Sequence, residues 1–353
     1  MTMRLFLEDG TVCEGTSFGA DRPVAGEVVF STGMTGYVES LTDPSFAGQI
    51  IVCTYPLVGN YGVPRAADFE SERIQAAGLI VSEYSTEYSH HDARHSLQMW
   101  LKTSRIPALT GVDTRALTKR LRERGVMLGH ISKNEPTEFP DPNRENLVAK
   151  VSIKERREYG NGRIRIVLVD CGAKENIVRS LSRDNVTLIR VPWNYDFSTE
   201  QYDALVLSNG PGDPEMCMPT VVNIRNAMRS GVPILGVCLG NQLLALAAGG
   251  ATYKLKYGHR GQNQPCVDTE TERCYITSQN HGFAVDANSL PSSWSTWFVN
   301  ANDGSVEGIK HNSKPWRSVQ FHPEASPGPT DTAWIFDDFL KELSGRRRLT
   351  VRV

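Results

Sequence analysis

A mostly parallel, doubly wound α/β sheet preceded by a separate mixed β/α domain is the fold class this sequence predicts, and three observations carry it. From Ile164 onward, short apolar runs alternate with helical periodicity. The first half instead shows short strands at close spacing with turn residues between them. The two patterns meet at Glu155-Arg-Arg-Glu-Tyr-Gly-Asn-Gly162, charged and then glycine-rich, which reads as a boundary. Domains spanning 1–155 and 163–345 are therefore expected, and 353 residues suffice for two cores.

In the first half, Arg4-Leu-Phe-Leu7 and Thr11-Val-Cys-Glu14 flank Asp9-Gly10 and read as a hairpin. Val28-Val-Phe30, Gln49-Ile-Ile-Val-Cys53 and Gly78-Leu-Ile-Val81 read as further strands. Leu97, Trp100 and Leu101 mark one helix. A second starts at Asp113-Thr114, carries Leu117 and Leu121, and ends at Gly125. The polar stretches 31–37 and 41–48 read as turns. This half holds no Cys–His pair and no Walker-type loop, which suits a docking or binding module better than a catalyst.

In the second half, strands are expected at 164–169, 186–191, 203–207, 233–237 and 317–321. Helices are expected at 175–183, 220–229, 242–248 and 331–343, the last stopping at Gly345. The stretch from Arg346-Arg-Arg348 onward reads as a solvated basic end. In such a sheet, ligands bind at the carboxyl ends of strands.

Composition excludes several classes. The chain is 40% hydrophobic and 22% charged, with net charge −2, so nothing calls for nucleic acid or a membrane surface. Glu8 and Asp9 interrupt any secretory apolar core, and no apolar run reaches membrane-spanning length. Seven cysteines without CxxC spacing argue against a disulfide framework or a zinc site, and for a reducing cytoplasm.

The chemistry concentrates around Cys238. Pro233–Val237 is an apolar strand, Gln242–Ala248 is helical, and Cys238 sits at the turn with Gly236 and Gly240 at minus two and plus two. That is the spacing of a nucleophile elbow with Cys in place of Ser. A following helix N-terminus favours a thiolate, and the Leu239 N–H is placed to stabilise an oxyanion. Cys13, Cys53 and Cys171 lack this context and read as small apolar residues. His322, in Gln320-Phe-His-Pro-Glu324, is the base candidate. It follows a strand, Pro323 keeps it extended, and Glu324 two residues on can lie beside it. Together these make a nucleophile, base and orienter. His281 is the rival base, while His90, His91 and His95 read as surface. Ser208-Asn-Gly-Pro-Gly-Asp-Pro214 lacks a Walker lysine, so Gly210 and Gly212 more naturally bring backbone N–H groups to a substrate or oxyanion.

Gly236-Val-Cys-Leu-Gly-Asn-Gln242 with Phe321-His-Pro-Glu324 resembles the class I glutamine amidotransferases, whose flavodoxin-like glutaminase domains use a Cys-His-Glu triad. Leu41-Thr-Asp-Pro-Ser45, Ser208–Pro214, Gly258-His-Arg-Gly-Gln-Asn-Gln-Pro265 and Ser278-Gln-Asn-His-Gly-Phe283 narrow the likeness, over essentially the whole chain, to the carbamoyl-phosphate synthetase small-subunit family. The resemblance implies that Cys238 attacks the glutamine amide, His322 transfers the proton and Glu324 orients His322. It implies that Ser45, Gly210, Gly212, Leu239, Gln242, Asn280, Gly282 and Phe283 hold L-glutamine, Ser45 bringing a loop of the first domain to the second domain's site. It further implies no cofactor or metal in this chain, with ATP, Mg2+ and bicarbonate used by a separate large subunit that receives the ammonia and makes carbamoyl phosphate, for arginine or pyrimidine synthesis. Asn241 departs from the family, where many members have His, and Arg260 and Gln264 replace other polar residues. The competing readings are a glutaminase serving another ATP-dependent synthetase, a stand-alone cysteine hydrolase, and a non-catalytic scaffold.

Overall fold

In the computed structural model the backbone of residues 2–350 and the side chains of residues 2–346 are described. The chain divides into two compact units between Leu147 and Val148.

The first unit contains β1 (Thr2–Leu7), β2 (Val12–Ser17), β3 (Val24–Ser31), β4 (Gln49–Cys53), β5 (Leu57–Val58), β6 (Gly78–Ile80), β7 (Glu83–Tyr84), β8 (Ala108–Thr110) and β9 (Met127–Ser132). It also carries α1 (Tyr37–Thr42), α2 (Leu97–Thr103) and α3 (Thr114–Arg124). Seven of the strands close a barrel in the order β1-β2-β8-β6-β4-β3-β9. The hairpin expected around Asp9-Gly10 is its β1–β2 pair, with Leu5 opposite Cys13. Asp113 caps α3 by accepting from the Ala116 N–H at 2.8 Å, and the helix ends at Gly125 as the sequence indicates. Ile51, Leu79, Leu97, Leu101 and Ala108 pack in one core between the barrel wall and α2.

The second unit opens with α4 (Leu147–Val151) and β10 (Arg157–Tyr159). The stretch expected to be a boundary thus carries a strand, which pairs antiparallel with β12 (Val186–Pro192). The alternation of Tyr159 inward and Arg157 and Glu158 outward is too short to outweigh the glycines that come after it in sequence. The remaining strands are β11 (Ile164–Asp170), β13 (Ala204–Leu207), β14 (Ile234–Val237), β15 (Thr252–Asp268), β16 (Cys274–Val285), β17 (Trp294–Asn300), β18 (Val306–His311) and β19 (Trp316–Val319). The helices are α5 (Glu175–Leu181), α6 (Met218–Ser230), α7 (Leu239–Ala248) and α8 (Trp334–Thr350). The sheet order is β10-β12-β11-β13-β14-β19-β18-β16-β15-β17. Its centre, β12-β11-β13-β14-β19, is parallel throughout and has the flavodoxin-like 2-1-3-4-5 order.

The central strands are continuous apolar runs because both faces are covered. Val167, Val169, Leu205 and Leu207 pack with Leu243 and Leu244 of α7, while Ile166, Leu168, Val206 and Leu235 pack with Phe336 and Phe339 of α8. Two expectations need correction. Residues 252–311 form an antiparallel extension, β15 to β18, that the sequence pattern does not announce. Helix α8 does not stop at Gly345 but runs to Thr350, since an isolated glycine is tolerated within a helix whose apolar face is already anchored. The side chains of Arg347 and Arg348 lie outside the described residues. Among the described residues no helix is long and apolar enough to cross a membrane.

Candidate active site

Cys238 occupies the junction between β14 and α7 with φ 54° and ψ −104°. This is backbone that L side chains rarely adopt and that costs about 1–3 kcal/mol, so the surrounding structure must impose it. It does so by close packing. A Cβ on Gly236 would lie 2.5 Å from the Gly240 carbonyl oxygen, and a Cβ on Gly240 would lie 2.3 Å from the Leu207 oxygen. Both glycines are therefore required where β14 turns into α7 against β13. The Cys238 N–H donates to Val319 O at 2.8 Å, tying the elbow to β19. The thiol is buried and donates to Asn280 O at 3.6 Å.

His322 arrives from β19 on the adjacent strand end. Its N–H donates to Ser278 O at 2.9 Å, and its Nδ1 donates to Glu324 Oε1 at 2.6 Å. His322 and Glu324 lie side by side, across a turn closed by the Ala325 N–H donating to His322 O at 3.1 Å rather than along the extended chain expected. His322 Nε2 is buried without an aligned hydrogen-bond partner among the described residues, because the neighbouring thiol points to Asn280 O instead. Burial alone would push the imidazole down; the charges of Glu324 and Cys238 and the hydrogen bond to Glu324 outweigh it and raise His322 to about 10. Burial would likewise raise Glu324, but the charge of Lys174 and then that of His322 lower it to about 2.

Lys174 is the residue that sequence reasoning missed. Its Nζ lies 3.2 Å from Glu324 Oε1, almost fully buried, and also donates to Ala325 O. The available signal was its place. It follows the carboxyl end of β11 and precedes the first turn of α5, where a cation is electrostatically disfavoured and needs a compensating partner. The loop carrying it is pinned by Asp170, which accepts from the Gly172 and Ala173 N–H groups and is paired with Arg190.

The remaining predicted residues of this unit lie on the 208–212 loop, α7 and β16, of which Asn280 O contacts the thiol. A Cβ on Gly210 would meet Cys171 O at 2.2 Å and a Leu239 side-chain carbon at 2.8 Å, so the backbone of 208–212 approaches the start of α7 closely. Gly212 has φ +82°, in the region that favours glycine. Leu239 is the first residue of α7. Gln242 Nε2 donates to Phe283 O at 3.0 Å and to Gln320 Oε1 at 3.1 Å. Asn280, Gly282 and Phe283 lie on β16, with Asn280 O accepting the thiol. Asn241, the departure from the family, is fully buried. It donates to Gln320 Oε1 at 3.1 Å and accepts from Ser318 Oγ at 2.9 Å. His281, the rival base, has Nδ1 on Phe283 O at 2.8 Å and Nε2 near Gln279 Oε1 at 3.1 Å, so both nitrogens are engaged away from the thiol. Ser45 belongs to the first unit, where it sits in the 3-10 turn Pro44–Phe46 and its N–H donates to Asp43 Oδ1 at 2.9 Å. His90 and His91 are exposed, as expected.

A thiol on a strained strand-to-helix turn, beside an imidazole–carboxylate pair at the carboxyl ends of a doubly wound sheet, defines the class: a candidate cysteine-nucleophile site of the acyl-transfer kind. Residues 167–342 match the family described as glutamine amidotransferase class-I, and residues 5–131 match the CPSase domain of the carbamoyl-phosphate synthase small chain. The chain is 50% identical over 378 residues to the multifunctional protein pyr1-3 of Dictyostelium discoideum, covering 98% of this chain and 17% of that protein. It is 51% identical over 352 residues to the multifunctional protein CAD of Squalus acanthias, covering 96% and 16%. It is 50% identical over 364 residues to the mitochondrial carbamoyl-phosphate synthase [ammonia] of Aquarana catesbeiana, covering 99% and 24%. The chain thus spans between about a sixth and a quarter of the length of these relatives. It belongs to the carbamoyl-phosphate synthase small-chain family, with a class I glutamine amidotransferase domain as its second half.

Proposed function

We propose that this chain hydrolyses L-glutamine to glutamate and ammonia and supplies the ammonia to carbamoyl-phosphate synthesis. The observation that carries the reading is Cys238 on its strained turn beside the buried His322–Glu324 pair. An amide is a weak electrophile with a poor leaving group, so attack needs a thiolate, donors for the tetrahedral oxygen and an acid for the nitrogen. His322, raised to about 10, already holds the thiol proton when sulfur attacks the side-chain carbonyl carbon. The Leu239 and Gly210 N–H groups receive the developing oxyanion. An imidazole held as high as His322 retains that proton until the amide nitrogen departs, and then delivers it to release ammonia. The γ-glutamyl thioester left on Cys238 is cleaved by water, for which His322 is again the base.

Gly212, Gln242, Asn280, Gly282 and Phe283 are proposed to hold glutamine, and Ser45 is proposed with them on the family resemblance. The ammonia acceptor is proposed to be a synthetase that uses ATP, Mg2+ and bicarbonate, on a large subunit or an equivalent segment. The domain matched at 5–131 favours this over a glutaminase of another synthetase. Glutamate release is measured on the full chain alone and with a carbamoyl-phosphate synthetase large subunit. Release that rises with the partner and disappears in Cys238→Ala supports the reading. Hydrolysis of esters or peptides but not glutamine overturns it.

A further inference from the structure

Behind the strand that walls the thiol lies a buried polar cluster that the chemistry above does not use. His259 on β15, His281 on β16 and Glu307 on β18 bring one ligand atom each within 4.8 Å of one another, and all three are buried. His259 Nδ1 lies 3.3 Å from Glu307 Oε1, and His259 Nε2 lies 2.9 Å from Asp303 Oδ2. Glu307 Oε1 also accepts from Asn300 Nδ2 at 3.3 Å and lies 3.7 Å from His281 Nε2. The Phe283 carbonyl can only accept, so His281 Nδ1 carries a proton and donates to it at 2.8 Å. The two imidazoles stand edge to face, 4.9 Å apart.

This cluster sits beside a bulge of β15. Lys254 faces Phe283 and His259 faces His281, so the ladder between β15 and β16 is irregular across that segment. The facing segment of β16, in which Arg260, His259 and Lys254 pair with Asn280, His281 and Phe283 and only Gly282 lies outside the register, accepts the Cys238 thiol at Asn280 O and the Gln242 amide at Phe283 O. Glu307 is also tied to the base: its backbone carbonyl accepts from the Gln320 N–H at 2.8 Å, two residues before His322. Side-chain contacts thus add to the ladder beside the bulge.

We propose that Glu307 and His259 are positioning residues for glutamine, holding His281 and through it the Asn280–Phe283 wall in binding register. The inference rests on the glutamine reading above. His259 between two carboxylates acts as a buried cationic clasp. Burial pushes its imidazole down, and the hydrogen bonds and charges of Glu307 and Asp303 push it back above its ordinary range. Burial would raise Glu307, but its hydrogen bond to His259 lowers it. His281 stays low because burial outweighs Glu307. Neutral His281, with its proton on Nδ1, offers Glu307 no donor, so the carboxylate fixes the His259 ring and that ring fixes His281 by edge-to-face packing. A metal ion shared by the same three side chains is the alternative, but His259 already has both nitrogens on carboxylates, so a proton accounts for the geometry.

The test measures glutamate release on the full chain for wild type, Glu307→Gln, His259→Gln and the double variant, with thermal unfolding of each. KM for glutamine should rise about tenfold in each single variant, the factor set by one lost hydrogen bond's worth of positioning. Because neither residue touches the reacting atoms, kcat should stay within about threefold, and the double variant should be no worse than the weaker single one. If Glu307→Gln does not fold, His259→Gln carries the comparison, since it keeps the carboxylate with its Asn300 partner. Unchanged KM, or a fall in kcat at constant KM, overturns the inference, as does one metal ion per chain that is lost in Glu307→Gln. If wild type releases no glutamate from glutamine, the glutamine reading falls and this inference with it. If wild type does and the variants match it, this inference alone falls.

Discussion

Glu324→Gln removes one charge from a buried row of three groups, and the consequences can be worked from their geometry. Lys174 Nζ, 3.2 Å from Glu324 Oε1 and with a side chain only 3% exposed, loses its counter-charge. Breaking a buried pair from one side costs about 3–5 kcal/mol, because the remaining charge stays desolvated. His322 loses the larger of the two charges that raise it, so burial regains control and its pKa falls from about 10 toward the ordinary imidazole range. The imidazole then holds its proton less well, so the thiol proton is captured less completely and is less often at hand when the nitrogen departs. Loss of an oriented proton-transfer partner corresponds to about 10²–10⁴ in rate. The assay pairs glutamate release with NMR titration of the His322 ring and urea unfolding. A second variant separates charge from fold: Lys174→Met in the Glu324→Gln background removes the stranded cation and should recover stability without recovering rate. An unchanged titration of His322, or a rate within threefold of wild type, would refute the orienting role of Glu324.

The same groups set a pH dependence of stability. His322 is raised to about 10, so its contribution is complete below about 6.5 and is lost as pH rises through 10. Glu324 is lowered to about 2, so its contribution is complete above about 4.5 and is lost as pH falls through 2. Urea unfolding across pH should therefore show an alkaline decline that Glu324→Gln flattens. Cys238→Gly should be more stable than Cys238→Ala by about 1 kcal/mol, since glycine relieves φ 54° while both abolish glutamate release; equal midpoints would mean that the elbow is unstrained. Gly240→Ala should destabilise by about 1–3 kcal/mol or more, because its Cβ meets a backbone carbonyl that cannot rotate away. Ser45→Ala, read as KM for glutamine, decides whether the first unit contributes to binding.

The parallel half of the fold was legible because strands covered on both faces are continuous apolar runs and their helices have clean periodicity. The elbow was legible because its glycines are steric requirements, visible now as the 2.5 Å and 2.3 Å approaches of Gly236 and Gly240. His322 and Glu324 were legible because they are neighbours in the chain, although a turn rather than an extended strand brings them together. The antiparallel extension was not. Several of its inner positions are polar, Thr277, Gln279, His281 and Glu307 among them, and these interrupt the apolar alternation. Lys174 was hidden for a related reason: its partner Glu324 is far along the chain, and nothing local announces a buried cation. Asn241 reads in sequence as a departure, yet its buried bonds to Gln320 and Ser318 make it part of the frame behind α7.

The central claim is that Cys238 carries the acyl group. The most direct measurement is acid quenching of the full chain during turnover of isotopically labelled glutamine, with mass spectrometry of its peptides afterwards. A labelled γ-glutamyl group is predicted on the peptide containing Cys238, absent in Cys238→Ala and accumulating when His322 is replaced by Asn only if deacylation slows more than attack. Label on any other side chain, or glutamate release that persists in Cys238→Ala, would contradict it.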